Sequence, residues 1–143
     1  MIQRIQSIYL FFVGVLSGGL VFVFHFWKQN DKSLGILDLV RSNNLLENGI
    51  GISFFVVALL AIISLLSYKN RKTQKRINYV SILINLILLG LLFFILLNMS
   101  GETSVSEKGI GSFLPFGSIV LLLLANHAIQ KDENLVKSVD RLR

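Results

Sequence analysis

Cysteine is absent, proline occurs once and charged residues make up only 15% of the chain. The first absence removes disulfides, zinc thiolate sites, iron–sulfur clusters and thiol catalysis. The second leaves long stretches without a helix breaker. The third falls well below the roughly 25% of soluble domains. In place of charge stand Leu, Ile, Val and Phe in unbroken blocks, and apolar residues reach 53% of the 143. Such a chain is expected to be one integral membrane domain, residues 1–143.

The few charges mark out the spans. No Asp, Glu, Lys or Arg occurs between Arg4 and Lys28, Glu47 and Lys69, Arg76 and Glu102, or Lys108 and Lys131. A helix needs about 20 apolar residues to cross a hydrocarbon core of roughly 30 Å, and a charge at its centre costs about 2.5–3.5 kcal/mol. Four transmembrane helices are therefore expected near 5–27, 49–68, 77–98 and 111–130. Lipid offers no partner to unpaired backbone groups, which demands helices, and four spans are too few for a closed barrel. The first apolar run exceeds the 7–15 residues of a signal-peptide core, so it reads as a retained anchor.

Basic residues set the expected orientation. Arg4, the hairpin Lys69, Arg71, Lys72, Lys75 and Arg76 (within 69–76), and the tail Lys131, Lys137, Arg141 and Arg143 fall on one side. Lys28, Lys32, Arg41 and Lys108 fall on the other, so the positive-inside rule places both termini in the cytoplasm. The hairpin cluster serves that topology and would also attract anionic lipid headgroups. Nucleic acid is not an expected partner, because topology already accounts for the net charge of +6.

The outer loops differ. Within 28–48, Leu34, Leu37, Val40 and Arg41 fall at helical spacing, with Leu45 and Leu46 beyond. That pattern fits either an amphipathic helix on the membrane face or a cap packed on the bundle. The loop 99–110 is rich in Gly and Ser, and Pro115 follows near the start of the fourth span.

Inside the spans, Gly14 and Gly18 form a GxxxG pattern suited to close helix packing. Asn78, Ser81 and Asn85 form a polar stripe, and Asn85 is expected to meet another helix because an amide facing lipid is costly. Asn126 and His127 stand near the end of the fourth span, and His25 stands at the far end of the first. No Asp or Glu lies within a span, and neither a Ser–His pair at one depth nor a phosphate-binding glycine loop is present. Catalytic residues, metal ligands and cofactors are accordingly expected to be none.

The closing stretch 131–143 is charged and helical in pattern. Ala128, Asp132, Leu135, Val139 and Leu142 recur at 4, 3, 4 and 3, and Glu133 precedes Lys137 by four. The fourth helix should continue into the cytoplasm as one rod. Asp132, Glu133 and Asp140 are offered to the basic hairpin, to a partner helix or, with its bases, to the inner leaflet, in that order of preference.

The opening "MIQRIQSIYL" and the closing "NHAIQKDENLVKSVDRLR" resemble an uncharacterised family of small four-span membrane proteins of Gram-negative bacteria, known only as a domain of unknown function. The matching positions are Met1 to Gln6, Ala128, Ile129, Lys131 to Glu133, Leu135, Val136, Ser138 and Asp140 to Arg143; His127 stands where the family often has Arg. The resemblance implies a bacterial inner-membrane location, no established activity and no catalytic residues to carry over.

As architecture we expect an all-α, up-down-up-down four-helix membrane bundle with both termini cytoplasmic and the fourth helix extended. As function we expect a non-enzymatic accessory or scaffold subunit acting through its cytoplasmic face, with a membrane-protein partner or a second copy. The alternative is a small oligomeric transporter or channel with a polar vestibule at Asn78, Ser81, Asn85 and Asn126.

Overall fold

The computed structural model describes residues 3–29, 32–98 and 109–141; for Gln3, Arg4, Lys28, Gln29, Lys32 and Asp140 the description covers the backbone only. Helix α1 (Gln3–Val15) passes through a π-helical turn, Leu16–Leu20, into the short α2 (Val21–Val23). A two-stranded ribbon follows, β1 (Trp27–Gln29) with β2 (Lys32–Leu34), then α3 (Ile36–Arg41) and α4 (Leu45–Leu66). A 3-10 turn at Ser67–Lys69 leads to α5 (Arg71–Asn98). Another at Ile110–Phe113 leads to α6 (Leu114–Arg141). Four stretches, Ile5–Val23, Leu45–Lys69, Arg71–Asn98 and Ile110–Val139, are long and apolar enough to cross a membrane.

These four helices close a ring in which α1 and α5 each pack against both α4 and α6. The ring has two chemically different ends. At one end Phe26, Trp27, Ile36, Leu39, Ile50 and Phe54 are buried, and the Phe26 and Phe54 rings sit 5.3 Å apart. At the other end the buried residues include Gln6, Ser64, Gln74, Asn78, Asn126 and Asp132. The outward faces are apolar throughout, for example Phe11, Leu59, Leu83, Phe93 and Leu123, each at least half exposed.

The first span is shorter than expected. Its helix stops at Val23, Phe24 is extended (φ −94°, ψ 140°), and Trp27 lies in β1. The cause is backbone pairing: the Phe26 N–H donates to Leu34 O at 3.0 Å, and Gly109 and Gly111 N–H donate to Phe26 O and His25 O at 2.9 and 3.1 Å. Gly109 is required there, because a Cβ at that position would overlap the His25 carbonyl. An apolar, charge-free run does not distinguish a helix from a buried extended segment.

Within 28–48 the structure takes the packed-cap form. Leu34 belongs to β2 and not to a helix, and Leu45 and Leu46 already belong to α4. In α3, Ile36 and Leu39 are buried, and Val40 lies so near Gly51 that a Cβ on Gly51 would stand 2.6 Å from Val40 Cγ2. The other boundaries move as well. The basic hairpin reduces to one non-helical residue, Asn70, since Arg71 to Arg76 form the first turns of α5. The expected outer loop 99–110 lies outside the described residues up to position 108. The continuous fourth helix is present through Arg141.

Candidate functional site: a polar core and a pinned helix end

Along α5, Gln74, Asn78, Ser81 and Asn85 follow a 4-3-4 spacing, share one face and are at most 1% exposed. Tyr79, Val80, Leu83, Leu86 and Ile87 cover the opposite face and are more than half exposed. The helix is thus turned inside out relative to one in water, polar inward and apolar outward. Asn78 is the hub. Its Oδ1 accepts from Ser64 Oγ of α4 at 2.6 Å, and its Nδ2 donates to Asn126 Oδ1 of α6 at 2.8 Å. One side chain therefore ties three helices together, with each bond worth about 0.6–2 kcal/mol in an apolar surround.

Asn85 behaves differently from the expectation. It is buried, but its Nδ2 donates to the Ser81 carbonyl of its own helix at 2.8 Å. The inter-helix bond expected of it is made two turns away by Asn78. Several inward polar atoms have no hydrogen-bond partner among the described residues: Gln6 Nε2, both amide atoms of Gln74, Ser81 Oγ, Asn85 Oδ1 and Asn126 Nδ2. Deeper in the ring, the Ser17 and Ser118 hydroxyls join the π-helical turn to α6 at 3.3 Å.

Charge closes this end. Asn70 caps α5, its Oδ1 accepting from the Thr73 N–H at 3.4 Å. Behind that cap, Arg71, Lys72, Lys75 and Arg76 crowd the positive end of the helix dipole, an unfavourable placement. Acids from α6 offset it. Arg71 Nη2 lies 3.4 Å from Asp132 Oδ2, and Lys75 Nζ lies 2.8 Å from Glu133 Oε2 while also donating to Gln130 Oε1. Lys137 approaches Glu133 from the next turn at 3.0 Å. Hydrogen bonds from Lys75 and then Lys137 hold the Glu133 carboxyl far below the usual carboxylate range, at about 2. Glu133 lies beyond the charge-free window that ends at Gln130.

Past Glu133 the helix is bare. Leu135, Val136 and Val139 are 45%, 48% and 64% exposed, and Asn134, Lys137, Ser138 and Arg141 are exposed around them. Two further turns of helix thus extend from a base fixed to α5 by two ion pairs.

The structure groups Arg71, Lys75, Asp132 and Glu133 from the sequence-predicted set, while Lys69, Lys72, Arg76, Lys131 and Arg141 are exposed around them. Arg143 and the side chains of Arg4 and Asp140 lie outside the description. The glycine pair separates. A Cβ on Gly18 would approach Ala58 Cβ to 3.2 Å, marking close packing of the π turn on α4. A Cβ on Gly14 would meet nothing within 4 Å, because Gly14 borders an open apolar groove with Leu10, Phe11, Ala61 and Leu65. His25 lies beside Gly111 at the β-ribbon end, and His127 lies near Lys131 at the charged end.

Two amides of the polar core escaped sequence reading. Gln74 sits one turn before Asn78, in a stretch the charges assigned to a hairpin, and extending the 4-3 stripe backwards would have found it. Gln6 faces inward two residues past Arg4, and no single-sequence signal marks its direction.

The chain was compared with known proteins. No curated protein and no solved structure matches it. A family match covers residues 2–142, nearly the whole chain. With that coverage, the chain belongs to the family described as domain of unknown function DUF4293.

Proposed function

We propose that this protein crosses a bacterial inner membrane four times as an up-down-up-down bundle with both termini cytoplasmic. There it acts as a non-enzymatic accessory or scaffold subunit that offers the end of α6 to a partner protein. The membrane reading is supported by the inside-out α5, whose buried face is largely amide and hydroxyl while its exposed face is aliphatic and aromatic. The orientation is supported by the basic residues gathered at the end where α5 begins and α6 finishes.

The observation that carries the docking role is the contrast within α6. Asp132 and Glu133 are paired to α5, whereas Leu135, Val136 and Val139 immediately beyond are bare. Fixing the base lowers the entropy lost when the next turns bind. The stripe lies between Lys131, Lys137 and Arg141, so the complementary surface is an apolar groove with an acidic rim. The test is affinity purification from native membranes in mild detergent, with a tag between Thr103 and Ser106, comparing the full chain with one ending at Glu133. Truncation there spares both ion pairs to α5. A defined partner retained by the full chain and lost on truncation is the expected result; identical complements from both chains would refute the docking role.

A second reading draws on a separate observation, the buried polar atoms at Gln6, Gln74, Ser81, Asn85 and Asn126 that have no partner among the described residues. Polar groups inside a span mark substrate and ion paths, and unpaired ones have donors and acceptors to offer a cargo. Asn85→Leu separates the readings. A scaffold keeps its partner after that substitution, whereas a transporter with a vestibule here loses flux.

A further inference from the structure

At the charged end a groove of about 280 Å³ runs between α1 and α6, lined by Ile5, Tyr9, Leu124, His127, Ala128 and Lys131. Its two parts differ chemically. Ile5 and Leu124 are 49% and 43% exposed, so the floor is apolar and open to the surroundings. The rim is formed by His127 and Lys131, both exposed and one helical turn apart on α6.

Lys131 makes no ion pair among the described residues. The acids next to it in sequence are engaged elsewhere: Asp132 with Arg71, and Glu133 with Lys75 and Lys137. The helix therefore directs these two carboxylates toward α5 and leaves Lys131, on the α1 side, with no acid against it among the described residues. That cation is the first charge after the window ending at Gln130, which sets it at the edge of the apolar layer.

We infer that this groove is a binding site for one anionic phospholipid. Its phosphate sits on Lys131 and His127, and one acyl chain lies along Ile5, Tyr9 and Leu124. The inference rests on the membrane reading given above. Charge complementarity selects the headgroup, since a zwitterionic lipid brings no net charge to Lys131 and a free phosphate gains nothing from the floor. The phenol of Tyr9 suits the same boundary, where aromatic rings with a polar tip settle.

Native mass spectrometry of the full chain in mild detergent tests the site, with phosphatidylglycerol, phosphatidylcholine and inorganic phosphate as separate probes. Phosphatidylglycerol is expected to remain as a discrete adduct and phosphatidylcholine to be lost. Lys131→Gln should weaken phosphatidylglycerol retention about fivefold, the effect of one basic residue at a membrane surface, and Lys131→Arg should restore it. Arg41→Gln removes the same charge from an exposed position on α3 and should change nothing. Equal retention of both lipids, indifference to Lys131→Gln, or displacement of phosphatidylglycerol by millimolar phosphate would each overturn the inference. Alkaline washing of the source membranes tests the membrane reading separately. Release of the chain there would remove both claims, whereas a resistant chain lacking lipid selectivity would remove only this one.

Discussion

At the scale of single residues, Asn78 is the member of the polar core whose loss costs most. It holds Ser64 and Asn126 at once, and both of those residues are buried. Asn78→Leu leaves two polar groups from other helices without partners, a penalty of about 1–3 kcal/mol for each buried orphan. The thermal midpoint in detergent should fall clearly, and Ser64→Ala combined with Asn126→Leu should add little more once Asn78 has gone. Full additivity of the three changes would contradict the hub. The sequence placed Asn78, Ser81 and Asn85 on one stripe because period and residue type suffice for that. It did not rank them, since depth and neighbour decide which amide reaches another helix. Asn85 bonds its own Ser81 carbonyl, and Asn78 reaches two other helices. The two glycines of the GxxxG pattern carry the same lesson, because only Gly18 meets a neighbour.

At the scale of elements, the junction between α5 and α6 is electrostatic and titrates accordingly. The native pKa of Glu133, about 2, lies below its ordinary value of 4.5, so the native state binds fewer protons between those limits. Its contribution is complete above about pH 4.5 and is lost as pH falls toward 2. Thermal midpoints measured across that interval should drop on acidification, and Glu133→Gln should show a shallower drop from a lower neutral-pH value. An unchanged acid slope in that variant would show that the pair with Lys75 holds nothing.

Four long helices were legible from charge spacing, because charges are the costly residues in such segments, and the unbroken course of α6 from its periodicity and i,i+4 pairing. The β-ribbon end was not. There the pattern of Leu34, Leu37 and Val40 fitted a surface helix or a packed cap alike, and the chain forms a cap made of a β-ribbon and a short α3. Pairing of β1 with β2 sets Leu34, and bonds from Gly109 and Gly111, more than 80 positions away in the chain, hold the His25–Phe26 segment that leads into the ribbon. Local periodicity carries no trace of them.

For the whole molecule, the distribution of polarity and the end of α6 make one account. The bundle presents apolar side chains outward along its length and keeps amides and hydroxyls inside at its charged end. That charged end fixes the base of a helix whose next two turns are bare. If those turns serve to dock a partner, Leu135, Val136 and Val139 form a contact surface in the cell, and the exposed apolar side chains along the bundle do not. The most direct measurement is photo-crosslinking in native membranes from a probe placed at Val139, with an equivalent probe at Leu83 on the outward face of α5. The account predicts a discrete protein adduct from Val139, abolished when Leu135 and Val136 are both changed to Ser, and no protein adduct from Leu83. No protein adduct from Val139, or one indifferent to those serines, would contradict it.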